Sequence, residues 1–299
     1  MHSGLTRRRL ILLTLVVWLA VVAGFFWWVV NLMICRPEMG YPDHPRDPDG
    51  VALTAVNASG QRIAAWFYPG RPGAGALLLC HGHGVDHGNF TSLFPFLRRA
   101  GLALITLDFR AHGQSGGQYT SIGEREWEDL AAVLAAVASQ GLLPASQPLA
   151  AYGRSMGAAT LANGAAHLPR IDAFVLESCF AELRLIAGRD ARREMHLPDN
   201  PLFDLFFALA SWRTGYDYAG NRPVAAIAGV ASRPLLLIHD ALDPRATTED
   251  HQRLARAVPH ARTLTFANAN HVQGHAVNPP LFEREFLAFL ASAGIPLAP

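Results

Sequence analysis

The sequence predicts an α/β fold, a mostly parallel sheet covered by helices on both faces. Short runs such as Ala76-Leu77-Leu78-Leu79-Cys80 and Leu235-Leu236-Leu237-Ile238 are apolar at every position, the pattern of strands buried on both sides. Helix-length segments separate these runs, so strand and helix alternate along the chain. At 299 residues, 51% of them hydrophobic and 16% charged, the chain can bury one large core.

The N-terminus is different in kind. Residues 10–34 carry no charge. As a helix they extend about 37 Å, enough to cross a bilayer. Trp27 and Trp28 suit one membrane interface. A cleaved signal peptide is the rival reading, but it has a shorter apolar core followed by small residues, and this run ends in Asn31-Leu32-Met33-Ile34-Cys35-Arg36. The expectation is an uncleaved anchor within residues 1–36. Arg7, Arg8 and Arg9 precede the span, and acidic groups dominate just after it, which places the N-terminus in the cytoplasm and the remainder in the periplasm or outside the cell. Residues 37–50, with Pro37, Gly40, Pro42, Pro45 and Pro48, read as a linker to a domain over 51–299.

That domain opens with two strand-like runs, 51–56 and 62–68, joined as a hairpin by Asn57-Ala58-Ser59-Gly60. Strands are expected at 76–80, 102–107, 149–152, 173–176, 235–238 and 262–266. Helices are expected at 92–100, 123–139, 156–166, 248–257 and 280–291. Residues 178–233 hold no strand but two helix-like runs, 181–193 and 201–212. This is too long for a plain connection and reads as a small helical lid. Within it Phe203, Leu205, Phe206, Phe207 and Leu209 are candidates to line an apolar pocket, and ordinary helix packing produces the same spacing. Arg184, Arg189, Arg192 and Arg193 read as a solvated helix face rather than an anion site.

Net charge is +1, with 25 basic and 24 acidic residues, and nothing in that balance calls for nucleic acid. Cys35, Cys80 and Cys179 are too few and too scattered for a disulfide framework or a CxxC site. No cofactor motif is present, and no cofactor is expected.

The chemistry is carried by Gly153-Arg154-Ser155-Met156-Gly157, set between a strand and a helix. This is the G-x-S-x-G elbow in the context it requires: small residues let the helix close back on the strand while the serine projects above the sheet. His81-Gly82-His83-Gly84 follows the first parallel strand, where glycines let the backbone approach a substrate closely. The backbone amides of His83 and Met156 are therefore candidates for an oxyanion hole.

With these motifs the sequence resembles the α/β-hydrolase superfamily, and is most similar to the broad group of bacterial serine hydrolases related to Bem46-like and prolyl-oligopeptidase-like enzymes. The similar stretches are His81-Gly82, Asp108-Phe109-Arg110-Ala111-His112-Gly113-Gln114-Ser115, the elbow, Leu235-Leu236-Leu237-Ile238-His239 through Asp243, and Asn270-His271. The resemblance implies the α/β-hydrolase fold and a Ser-acid-His triad in that chain order, onto which Ser155, Asp243 and His271 map. Asp240, standing where the family usually has glycine, and Glu177 are the competing acids. His275 and His260 are the competing bases. The implied activity is hydrolysis of an ester, thioester or amide in a small or lipid-like acyl substrate. Acyl transfer and non-catalytic binding on the same fold are alternatives.

A metal-dependent hydrolase is the rival from another class. His81, His83 and His87 with Asp86 approach an H-x-H-x-D-H ligand motif, but two residues separate His83 from Asp86 where that motif has one. A slipped spacing turns the ligands in different directions.

Overall fold

The structure, a computed structural model, describes residues 2–35, 50–196 and 202–298. In chain order its main elements are α1 (His2–Ile34), β1 (Val51–Val56), β2 (Arg62–Tyr68), β3 (Ala76–Cys80), α2 (Phe94–Arg99), β4 (Ala103–Leu107), α3 (Trp127–Ser139), β5 (Leu149–Arg154), α4 (Met156–Gly164), β6 (Ala173–Glu177), α5 (Leu183–Met195), α6 (Leu202–Thr214), α7 (Pro223–Ala226), β7 (Leu235–Asp240), α8 (Thr248–Ala257), β8 (Arg262–Phe266), α9 (Gly274–Val277) and α10 (Pro279–Ser292). Apart from Gly50, the expected linker lies outside the described residues.

The strands form one eight-stranded sheet in the order β1-β2-β4-β3-β5-β6-β7-β8. The opening hairpin is antiparallel and joins β4 antiparallel. All other neighbours are parallel. The apolar runs have a direct physical cause. In β3, Leu78 and Cys80 enter one core layer with α3 and α4, whereas Leu77 and Leu79 enter the other with α2 and α10. Successive side chains point to opposite faces, and both faces are covered.

From β3 the chain runs outward to β4, then returns across β3 to β5. The sheet direction therefore reverses at β3, and a crevice opens beyond the carboxyl ends of β3 and β5. The 81–84 loop and the serine elbow both leave the sheet there. Residues 178–233 leave it at the next strand and form α5, α6 and α7.

Between Arg7 and Ile34, α1 is long and apolar enough to cross a membrane. Its first half is exposed, from Leu10 through Leu19. Its last two turns bury one side: Val30 and Ile34 are fully buried in the larger core layer. Phe26 stacks on Phe206 of α6 at 4.3 Å between ring centroids. Thr120 donates its amide to the Ile34 carbonyl at 3.0 Å. Arg213 of α6 lies 4.1 Å over the Trp27 ring and donates to Asn31 and Tyr119.

Candidate active site

Ser155 sits at φ 51° and ψ −112°, a left-handed strained backbone between β5 and α4. Its amide is held by the Glu177 carbonyl at 2.9 Å. The flanking glycines are required by space. A Cβ on Gly157 would stand 2.0 Å from the Cys80 carbonyl oxygen, and one on Gly153 would stand 2.5 Å from the Gly157 backbone. With both absent, α4 closes against the ends of β3 and β5, and the serine hydroxyl points into the crevice.

His271 lies in the loop after β8. Its Nε2 is 2.8 Å from Ser155 Oγ, and its Nδ1 is 2.7 Å from Asp243 Oδ2. The other Asp243 oxygen accepts from the amides of Arg245 and Ala246 at 2.8 and 3.0 Å. Burial pushes the Asp243 carboxyl up, but the His271 ring and the Arg245 amide outweigh it and hold it below the ordinary carboxylate range. The structure thus brings Ser155, His271 and Asp243 into one hydrogen-bonded line.

The competing groups are engaged elsewhere. Glu177 accepts from the Tyr152 hydroxyl and from Arg154 Nε, fixing the elbow arginine beneath the serine. Asp240 accepts from Ser178 Oγ at 2.8 Å and from the Gln273 amide at 3.3 Å. His275 stacks on Phe96 and lies 3.4 Å from Glu283, and His260 reaches the Arg233 carbonyl. Sequence reasoning missed Ser178. It occupies a left-handed position at φ 52° and also accepts from the Val272 amide at 3.1 Å, one residue past His271. No motif marks it.

His81, His83 and His87 do not converge, and among the described residues no cluster is arranged to hold a metal. His81 donates from Nδ1 to the Gly82 carbonyl at 2.7 Å and accepts at Nε2 from the Phe109 amide at 2.9 Å. Burial first, then His112, lowers its pKa to about 3, so it remains neutral. His87 bonds to Asp108 at 2.8 Å and stacks on Trp66. These rings brace the 81–87 and 108–115 loops. Both nitrogens of His81 and Nδ1 of His87 are thus engaged within these loops.

Gly82 lies against the elbow, its missing Cβ 3.6 Å from that of Ser155. No described residue claims the amides of His83 or Met156. A cavity of about 490 Å³ opens over Ser155, walled by Phe180, Leu183 and Ile186 from the strand end and α5, and by Phe206 and Phe207 from α6. Two of the five apolar α6 positions singled out from the sequence therefore reach it. Leu205 is exposed, Leu209 packs into the core, and the side chain of Phe203 lies outside the described residues. Three of the arginines pair with acids: Arg184 with Asp204, Arg189 with Asp250, and Arg193 with Asp190 and Glu194.

Residues 71–205 match the family described as serine aminopeptidase, S33. An esterase of Pyrococcus furiosus superposes with a TM-score of 0.70 at 21% identity, covering 87% of this chain and 98% of its own. The chain has the α/β-hydrolase fold. A putative aryl esterase from Burkholderia cenocepacia shares this hydrolase fold with a TM-score of 0.60 at 22% identity, over 81% of this chain and 99% of its own. The protein YqkD of Bacillus subtilis is 26% identical to this chain over 247 residues, 80% of this chain and 79% of that one.

Proposed function

We propose that the protein is a membrane-anchored serine hydrolase that cleaves carboxylic esters through an acyl-enzyme on Ser155. The observation that carries this reading is the continuous line from Asp243 through both nitrogens of His271 to Ser155 Oγ.

Each part then has a role. His271 Nε2 takes the hydroxyl proton as Ser155 Oγ bonds to the acyl carbon. The carbonyl π bond opens, and the carbonyl oxygen gains negative charge and is met by the His83 and Met156 amides, each worth on the order of 3 kcal/mol to the barrier. Asp243 fixes the His271 tautomer and stabilises the imidazolium. The tetrahedral adduct expels the alcohol, which leaves with the proton from His271. Water repeats the sequence: His271 takes its proton, the hydroxyl oxygen bonds to the acyl carbon, and Ser155 departs with its proton restored. The two esterases of the same fold support the choice of ester over amide.

The test is labelling of purified protein with a fluorophosphonate, alongside turnover of an ester panel with and without EDTA. Labelling at Ser155 and EDTA-resistant turnover support the reading. Turnover that EDTA abolishes, with Ser155 unlabelled, defeats it.

A further inference from the structure

The cavity over Ser155 has a wall that the hydrolase domain does not supply. Besides α5 and α6 it is lined by Trp28, Val29, Val30, Leu32 and Met33, the last turns of the apolar helix α1. The Met33 backbone carbonyl also faces the ring of His83, whose amide borders the proposed oxyanion site. Burial and the neighbouring His112 hold that ring near pKa 3, so it presents an uncharged face to the cavity.

Length explains how a spanning helix reaches an active site. About twenty helical residues cover the roughly 30 Å hydrocarbon core of a bilayer. Counted from Leu10, directly after the arginines, that stretch ends near Val29. The remaining turn, through Ile34, then emerges at the interface and is the part buried in the domain. The rim agrees. Trp28 and Leu32 of α1 and Leu205 of α6 are exposed, and Trp212 of α6 is 79% exposed. On a helix packed beside the span, such residues suit the headgroup level rather than water. The charged lining residues are Asp190, Glu194 and Arg245, and Asp190 pairs with Arg245 at 2.7 Å. The rest of the wall is predominantly apolar.

We infer that α1 is part of the substrate site as well as an anchor, and that the substrate is a long-chain acyl ester partitioned in the bilayer, whose chain lies against the last turns of α1. This rests on the serine-hydrolase reading of Ser155. A chain leaving the hydrocarbon core along α1 would enter the cavity without crossing water, so the cost of exposing its methylenes, about 0.8 kcal/mol each, is not incurred. The volume of about 490 Å³ lies within the range of small-molecule sites and accommodates one such group.

The experiment uses the full chain in lipid nanodiscs and p-nitrophenyl esters from acetate to dodecanoate. Met33→Trp fills the cavity from the α1 side and should lower the dodecanoate-to-acetate ratio of kcat/KM by about tenfold or more. Met33→Ala, which adds no bulk and so risks the fold less, should shift the preferred chain length upward. Leu19→Trp, on the exposed first half of α1, should keep the wild-type ratio. Chain-length profiles of both Met33 variants that superimpose on wild type, in protein that still labels with a fluorophosphonate, overturn the inference. Wild-type protein that neither labels nor turns over any ester sinks the serine-hydrolase reading, and this inference with it.

Discussion

Ser178 joins Asp240 to the loop that carries His271. Its hydroxyl donates to Asp240 Oδ2 at 2.8 Å and accepts the Val272 amide at 3.1 Å. Asp240 reaches the same loop through the Gln273 amide. Val272 itself is at φ 59°, so the loop is held in a strained turn by side chains from β7 and the end of β6. The buried carboxylate at 240 thus acts on the histidine from behind, while Asp243 touches it directly.

That carboxylate should give stability a pH dependence of its own. Burial and the charge of Glu177 push Asp240 up to about 7 from its ordinary 3.8, against the opposing bonds from Ser178 and the Gln273 amide, with Asp243 adding to the rise. Between those pH values the folded protein holds a proton that the unfolded chain has released. The contribution of Asp240 is therefore most favourable below pH 4 and declines as pH rises through 7. Asp240→Asn removes the titration. Its melting temperature relative to wild type should be higher at pH 8 than at pH 5. An identical difference at both pH values in thermal unfolding would show that Asp240 does not titrate in this range.

For the hydrogen-bonded line, single substitutions should rank in a definite order. Ser155→Ala should abolish fluorophosphonate labelling while leaving far-UV circular dichroism unchanged. Asp243→Asn should lower kcat by about 10⁴-fold through the wrong histidine tautomer, and His271→Ala by at least as much. Glu177→Gln should cost less than Asp243→Asn, because Glu177 braces Arg154 rather than His271. His275→Ala should change turnover by no more than a few-fold, since its ring stacks on Phe96. A ranking in which Glu177→Gln or His275→Ala is the most damaging refutes the assignment.

The elbow glycines make a steric prediction independent of catalysis. A methyl group on Gly157 meets the Cys80 carbonyl at 2.0 Å, a backbone atom that cannot swing aside. Gly157→Ala should destabilise the fold by about 3 kcal/mol or more. Gly24→Ala, with nothing within 4 Å of the added atom, should leave the melting temperature of the domain unchanged. Equal melting temperatures for wild type and Gly157→Ala would mean the strand–helix junction is looser than described.

The elements that came through clearly in the sequence are those whose pattern is local. The limits of α8 and β8 match the expected 248–257 and 262–266, and the elbow was visible because its glycines answer a steric need within five residues. The choice of Asp243 over Asp240 rested on the family resemblance alone. They lie three residues apart after one strand, and which one turns toward His271 depends on a turn closed by the Arg245 and Ala246 amides. Ser178 was hidden because its partners lie 62 and 94 residues away. The part α1 plays in the cavity was hidden for another reason. A helix that is apolar all round shows no stripe to mark the face that meets protein rather than lipid.

Orientation in the membrane is the remaining expectation, and it follows from charge. Arg7, Arg8 and Arg9 flank the start of the span, whereas Glu38, Asp43, Asp47 and Asp49 cluster after its end beside only Arg36 and Arg46. Moving three guanidinium groups across a bilayer is costly, so the basic end is expected to stay in the cytoplasm. We propose that the hydrolase domain therefore faces the periplasm or the cell exterior, with its cavity at the outer leaflet. Spheroplasts expressing the chain with an epitope tag at each end give the test. Protease added outside should destroy the C-terminal tag and leave the N-terminal tag on a short membrane-bound fragment. A C-terminal tag that survives until the cells are lysed reverses the orientation and moves the cavity to the inner leaflet. Recovery of a soluble chain lacking residues 1–35 makes the segment a cleaved signal, which the burial of Val30 and Ile34 in the domain core argues against: release of α1 would expose the apolar surface they cover and open one wall of the cavity to water.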